Sequence, residues 1–482
     1  MTMQTACRSI VLGSLAAALL SACTGADTSA DAIASETADA TDAPIQFLQS
    51  GPSGSPAAPA SQTESSFYTL LPARYLPGPL ASQSVSIAVG DVSGDGRDDL
   101  VFSRSISLPY PANGALEIYV AYQRGDGELD APVKIGQSNH FLAYQLLVAD
   151  LSGDGVGEII TATISGIMVL HGNGDGTFTA RTAPVPDPWE MLVTDVDRDG
   201  HMDILVDGSD TEATVVHGDG QGGILRTSTL PMPASATRAL GDVTGDGLDD
   251  VVLGTIVDRP LQELRIYPAR REGGYGEPIQ FSRPKESNHT SSLAVGDFNS
   301  DGRMDLALDE ARDGADLQLY FQDANGRLGS AVPLARQRGA GVLIARDLDR
   351  DGRTDLAMAH SGWGYIGYYL QEPAGLASER VIEAQQFSGR LNYFAAGDLN
   401  SDGCTDFAIA RSGQPIVLLY GTGCAPNAMK AICDLPPVRL EETVPSAAMW
   451  SPVSSQRADV GEIRIDPVRA ATLRAPRDLS NR

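Results

Sequence analysis

One short pattern recurs seven times in this 482-residue chain and restricts its possible folds more than its length does. Counted from a first aspartate, every copy has an oxygen-bearing side chain at position 3, aspartate at 5, glycine at 6 and a carboxylate at 9. The first two copies are Asp91, Ser93, Asp95, Gly96, Asp99 and Asp150, Ser152, Asp154, Gly155, Glu158. The next two are Asp195, Asp197, Asp199, Gly200, Asp203 and Asp242, Thr244, Asp246, Gly247, Asp250. The last three are Asp297, Asn299, Asp301, Gly302, Asp305; Asp347, Asp349, Asp351, Gly352, Asp355; and Asp398, Asn400, Asp402, Gly403, Asp406. So many carboxylates in one turn repel one another unless something positive sits among them.

Alternate residues of a tight loop point inward, so positions 1, 3 and 5 can converge on one ion, with position 9 closing the set. The backbone carbonyl of position 7 adds an oxygen, from Arg97, Val156, His201, Leu248, Arg303, Arg353 and Cys404 in turn. Hard oxygen ligands in a loop bent by glycine fit Ca²⁺, with room for up to seven ions, better than Mg²⁺ with its stricter octahedron. The third and sixth loops, with four acids each, are expected to bind tightest. The second, ending Val-Gly-Glu, is expected to be weakest.

An EF-hand loop begins in the same way but needs a glutamate at position 12 and helices on both sides. Position 12 here is Phe102, Thr161, Val206, Leu253, Leu308, Met358 and Ile409. The flanks instead read as strands, such as SIAVG before a loop and DLVFS, DILVD or DVVLG after one. Each loop is therefore predicted to be the bend of a β-hairpin. First aspartates lie 59, 45, 47, 55, 50 and 51 residues apart. After each hairpin comes a third strand (LEIYVAY, GIMVLHG, LQLYFQ) and then a Gly/Asn turn into a fourth. A period near 50 with four strands per unit predicts an all-β fold, a seven-bladed β-propeller with a Ca²⁺ loop in each blade. The seventh unit runs out after its third strand, PIVLLYGTG, and SFYTLLPARYLPG at 66–78 supplies the missing fourth, so an N-terminal strand is expected to close the ring.

Loops of the form GDxNxDGxxDL between such strands resemble the FG-GAP and VCBS repeats, which are related to the propeller of integrin α subunits. The resemblance covers about residues 66–423. It implies the propeller and Ca²⁺ binding, but leaves activity open: the family includes adhesion modules, lectin-like proteins and carbohydrate-active enzymes.

A formal net charge of -27 argues against nucleic acid or an anionic membrane surface as a main partner and points to bound cations. Residues 1–22 read as an export signal: Arg8, an apolar run from Ile10 to Leu20, then Leu20-Ser21-Ala22-Cys23. The last four residues resemble the lipobox of bacterial lipoproteins, which implies a lipidated Cys23 and a place in the cell envelope, at the outer membrane. Residues 23–65, rich in Ala, Ser, Thr, Asp, Gly and Pro, form an expected flexible tether. It would hold the folded part on the order of 35 to 40 Å from the lipid. Residues 424–482 read as a largely irregular tail.

In such a propeller the metals are structural, and ligands meet the face opposite the acidic loops. Connections expected there carry Tyr110, His140, Trp189, His289, Trp363, Arg390 and Tyr393, an aromatic and polar rim suited to a sugar ring or a peptide. The chain lacks HExxH, GxSxG and CxxC, and no catalytic residue is singled out. His171 and His217, at equivalent third-strand ends, are expected to be structural. These readings favour a non-catalytic binding, adhesion or scaffold module for a protein or glycan ligand. The alternatives are a polysaccharide lyase or hydrolase, or a lectin-like glycan binder. Cys404, Cys424 and Cys433 permit one disulfide in an exported protein, either Cys424 with Cys433 or Cys404 with Cys424.

Overall fold

The computed structural model describes residues 68–76, 86–106, 115–138, 143–163, 165–186, 188–207, 211–233, 237–254, 263–282, 290–310, 314–337, 339–360, 364–384, 394–410 and 414–424. Among them the strands form seven four-stranded antiparallel sheets, numbered here as blades in chain order. Blade 1 is Ile87–Gly90, Asp99–Ile106, Ala115–Ala121 and Val133–Ser138; blade 2 is Ala143–Ala149, Glu158–Thr163, Gly166–Gly172 and Phe178–Ala183. Blade 3 is Met191–Thr194, Asp203–Val206, Ala213–Gly218 and Ile224–Leu230; blade 4 is Thr237–Gly241, Asp250–Gly254, Glu263–Tyr267 and Ile279–Ser282. Blade 5 is Thr290–Gly296, Asp305–Glu310, Leu317–Tyr320 and Val332–Leu334; blade 6 is Gly341–Arg346, Asp355–His360, Tyr365–Tyr369 and Arg380–Glu383. Blade 7 joins the two ends of the chain. Phe394–Gly397, Asp406–Ile409 and Ile416–Leu419 are completed by Arg74–Leu76, paired Tyr75 to Val417, and Thr69–Leu70 pairs separately with Gly421–Thr422.

The second strand of each blade shows how sequence alternation becomes a ring. Its side chains point to opposite faces in turn, and both faces are covered, so after the leading carboxylate the strand is mainly apolar on both. Leu100 and Phe102 pack toward blade 7, whereas Val101 between them packs toward blade 2. Ile160 and Ala162 face blade 3 and Ile159 faces blade 1. The same split holds for Leu205 against Ile204 and Val206, and for Val252 against Val251 and Leu253. Seven apolar clusters result among the described residues, one between each pair of successive blades, and the last joins blade 7 to blade 1. Each fully buried Leu or Ile contributes about 1.5–3 kcal/mol relative to exposure. The fourth strands have one face on solvent and read accordingly: Ile224–Leu230, ILRTSTL, is mostly polar and exposed.

The glycine before several loops has a packing reason. A Cβ at Gly90 would lie 2.6 Å from Val148 Cγ1, at Gly241 2.5 Å from Val295 Cγ1, and at Gly397 2.2 Å from Val89 Cγ1. In each case the valine belongs to the first strand of the next blade. The glycine lets neighbouring first strands close on one another where the ring is narrowest.

Candidate metal centres

All seven acidic loops join a first strand to a second and share one hydrogen-bond scheme. The first aspartate curls the loop around its own carboxylate. Oδ1 accepts the N–H of position 5, as in Asp246 to Asp242 at 3.0 Å, and Oδ2 accepts that of position 6, as in Gly302 to Asp297 at 2.8 Å. The same pair of bonds forms in the other loops. Position 6 needs φ between 81° and 92°, which explains its invariant glycine. Position 4 is also left-handed, and there the chain uses Arg198, Ser300, Arg350 and Ser401 as well as glycine. These four are the non-glycine residues of positive φ among the described residues, at a cost of roughly 1–2 kcal/mol each, so backbone strain is concentrated in the acidic loops.

The ninth-position carboxylates are turned inward and almost fully buried. In six loops Oδ2, or Oε2 of Glu158, accepts the N–H of position 2, as in Leu399 to Asp406 at 2.7 Å; in the fourth loop Asp250 takes Thr244 instead. The other oxygen accepts an N–H at the end of the third strand: Gln123, Gly218, Ala269, Gln322, Gln371 or Gly421. In blade 2 the longer Glu158 meets His171 Nδ1 at 2.7 Å. Position 9 therefore ties the loop to its own blade, a role that the sequence pattern did not reveal.

Burial raises the pKa of the aspartates at this position. Asp99 and Asp355 are pushed up to about 7, and Asp250 and Asp305 to about 6. Asp203 and Asp406 move in the same direction, again chiefly through burial. At neutral pH the loops hold charge that the protein alone does not fully compensate, and a cation would.

The convergence expected of positions 1, 3 and 5 is clearest in two loops. Asp195, Asp197 and Asp199, and likewise Asp347, Asp349 and Asp351, each bring three carboxylate oxygens within 4.8 Å of one another. These are the third and sixth loops. Elsewhere position 3 is Ser93, Ser152, Thr244, Asn299 or Asn400, whose oxygens are neutral donors. Position 7 shows an unforeseen feature. The guanidinium groups of Arg97, Arg303 and Arg353 fold back onto the position-5 carboxylates Asp95, Asp301 and Asp351, partly neutralising them.

The loops also form the seam between blades. The first-aspartate carbonyl accepts a hydrogen bond from the following blade in five cases: Gln123 Nε2 to Asp398 at 2.7 Å, Gln322 Nε2 to Asp242 at 2.9 Å, Gln371 Nε2 to Asp297 at 2.6 Å, Gly157 N to Asp91 at 2.7 Å and Thr405 Oγ1 to Asp347 at 3.2 Å. Gln371 and Gln123 also accept from Ser300 and Ser401, the strained fourth positions of the neighbouring loops. A disulfide between Cys404, at position 7 of the last loop, and Cys424 adds a covalent tie, so of the two pairings considered it is the cross-strand one that forms.

Of the expected ligand rim, Tyr110, His140, His289, Trp363, Arg390 and Tyr393 lie outside the described residues, as do Cys23 and Cys433. Trp189 is described. It precedes the first strand of blade 3, at the end away from the acidic loops, and is 55% exposed. At the corresponding end of blades 5 and 6 lie buried polar contacts that sequence reading missed: the Arg336 Nη1–Asp309 Oδ1 ion pair at 2.5 Å and His360 Nε2 with Glu379 Oε1 at 2.6 Å.

A family model described as FG-GAP-like repeat matches residues 150–206 and 242–308. Each match starts at a first aspartate and ends in the second strand of the next blade. No curated protein sequence matches the chain. Among solved structures, it is similar to a lectin of Agrocybe aegerita studied for recognition of non-reducing terminal N-acetylglucosamine, with 16% identity, TM-score 0.46, and 70% of this chain and 87% of the lectin covered. It is also similar to the WD40 domain of Toxoplasma gondii coronin, at 11% identity and TM-score 0.48, with 75% of this chain and 87% of that domain covered. The Dos1 propeller matches at 10% identity and TM-score 0.42, over 73% of this chain and 95% of that one.

Proposed function

The chain is a seven-bladed β-propeller of FG-GAP-like repeats, and on that premise we propose that it is a non-catalytic recognition or scaffold module, stabilised by Ca²⁺ and held at a bacterial envelope by lipid on Cys23. The convergence of three carboxylates in the third and sixth loops carries the cation part of this reading. The donor set there is all oxygen at positions 1, 3 and 5, which suits a hard cation. In the proposed arrangement the side chains of positions 1, 3 and 5, the carbonyl of position 7 and the ninth carboxylate hold the ion. What the ion supplies is charge neutralisation at the seam between blades, not chemistry on a substrate. Arg97, Arg303 and Arg353 already supply part of that charge in loops 1, 5 and 6, so ion affinity is expected to be uneven around the ring.

With cations and seam contacts assigned to one face, recognition falls to the other, where the connections between strands are irregular in sequence and Trp189 offers a broad apolar face beside a polar edge. Propellers commonly bind protein or glycan ligands. Lipidation rests on the Leu-Ser-Ala-Cys sequence and would place the ring at the outer membrane.

The test is a glycan and protein binding screen with the full chain carrying Cys23→Ala, in Ca²⁺ and after chelation. Saturable binding that weakens in Trp189→Ala, without turnover of any ligand, is the expected result. Turnover of a polysaccharide would replace this reading with an enzymatic one. For the anchor, globomycin-sensitive processing and release of the Cys23→Ala chain from membranes are expected; unchanged membrane retention would remove it.

A further inference from the structure

Blade 3 differs from its neighbours at the base of its acidic loop. His217, in the third strand, is 3% exposed, and its Nδ1 stands 3.1 Å from Asp197 Oδ2 and 3.3 Å from Asp203 Oδ2. It forms no hydrogen bond to either, and Asp197 Oδ1 is likewise buried without a hydrogen-bond partner. Two buried polar atoms left unbonded beside one another form a costly arrangement in an apolar ring. By contrast, His171 at the equivalent position in blade 2 makes an ordinary hydrogen bond with Glu158.

We propose that Asp197, Asp203 and His217 form a mixed nitrogen and oxygen site for a divalent transition cation of the Zn²⁺ class, distinct in selectivity from the all-oxygen loops. Their ligand atoms lie within 4.8 Å of one another. Bonds of about 2.0–2.1 Å in a tetrahedron separate ligand atoms by about 3.3 Å, close to the spacing around Nδ1. Imidazole nitrogen is a ligand that Zn²⁺, Co²⁺ and Ni²⁺ accept and Ca²⁺ does not favour.

The surroundings support this assignment. His217 Nε2 is 2.8 Å from Ser228 Oγ. Donation from Nε2–H to that hydroxyl leaves Nδ1 an unprotonated ring nitrogen beside the two carboxylates, and a partner on the far nitrogen is the outer support that metal-bound histidines usually have. Asp203 is fixed by Gly218 N on Oδ1 and Val196 N on Oδ2, each at 3.0 Å, with lone pairs to spare. Arg226 Nη2 holds Asp197 Oδ2 at 2.7 Å from the solvent side, and an ion at that oxygen would take the place of the guanidinium. Arg226 is half exposed and can swing away. The third loop also lacks the folded-back arginine of loops 1, 5 and 6, since its position 7 is His201.

The proposal rests on the cation-binding reading, and at the third loop, whose Asp197 and Asp203 serve in either set, it assigns the softer cation in place of Ca²⁺, while the sixth loop keeps its all-oxygen set. Its test titrates Co²⁺, a visible-absorbing probe, into the full chain in a large excess of Ca²⁺. One equivalent should bind with a d–d band and be displaced by Zn²⁺. His217→Gln should weaken that site about tenfold or more, while His201→Gln and Asp349→Asn leave it unchanged. Should His217→Gln fail to fold, Ser228→Ala, which frees the imidazole tautomer, should still lower Co²⁺ affinity in a protein of parental circular dichroism. No Co²⁺ band in excess Ca²⁺, or a band indifferent to both His217→Gln and Ser228→Ala, would overturn the site and leave an imidazolium held between two carboxylates. Ca²⁺ binding to the sixth loop, read by calorimetry with Asp349→Asn as control, reports separately on the calcium reading.

Discussion

The ninth-position aspartates show how one residue type does two jobs. Each is buried, hydrogen-bonded to its loop and its third strand, and raised in pKa by that burial. From an ordinary value near 3.8, burial pushes Asp250 and Asp305 up to about 6 and Asp99 and Asp355 up to about 7. A raised folded pKa stabilises the fold fully below the unfolded value, and that contribution is lost as pH climbs through the folded value. The chelated protein is therefore expected to melt at a lower temperature at pH 8 than at pH 5. Added Ca²⁺ should raise the melting temperature more at pH 8, where no proton competes. A chelated protein with equal melting temperatures at both pH values would contradict this. The first and sixth positions were readable from sequence because only Asp and Gly suit them. The hydrogen-bonding duty of position 9 was not, because a carboxylate in a metal motif already has an explanation.

Between elements, the seam glutamines decide how blades meet. Gln371 bonds to the Asp297 carbonyl and the Ser300 hydroxyl of the preceding loop, and Gln123 and Gln322 reach across in the same way. Gln371→Ala removes the partner of a part-buried carbonyl and is expected to cost about 1 kcal/mol, read as a lower midpoint in urea with unchanged slope. An unaltered midpoint would show that the bond carries no net stability. Strand positions, and the unit that lends its fourth strand from residues 66–78, could be read from periodicity. The glutamines stand at matching third-strand ends in blades 1, 5 and 6, within YQ, FQ and LQ, so aligning the third strands to one another would have exposed them. Their partners could not be inferred, because a contact between blades depends on ring geometry. The Cys404–Cys424 pairing was open for a similar reason: it depends on two strands lying side by side.

At the scale of the whole molecule, seven apolar clusters hold the ring, and in five of the seven acidic loops the first-aspartate carbonyl reaches the following blade. Arg74–Leu76 pairs with Ile416–Leu419, and Tyr68 is buried with its hydroxyl 2.7 Å from the Thr405 carbonyl. Deleting 66–78 removes both and is expected to leave blade 7 with an open edge, seen as aggregation on gel filtration and faster proteolysis. A deleted protein as monomeric and heat-resistant as the parent would contradict that. The fold was legible because repeats state their own period; the ligand was not, because recognition depends on irregular connections that follow no period. Whether cations join the blades is tested by calorimetric melting of the full chain in excess Ca²⁺ and again after exhaustive chelation. Several ions lost from a ring of this size should lower the melting temperature by on the order of 10 °C and expose it to protease. Identical melting curves and identical proteolysis in the two states would contradict that expectation.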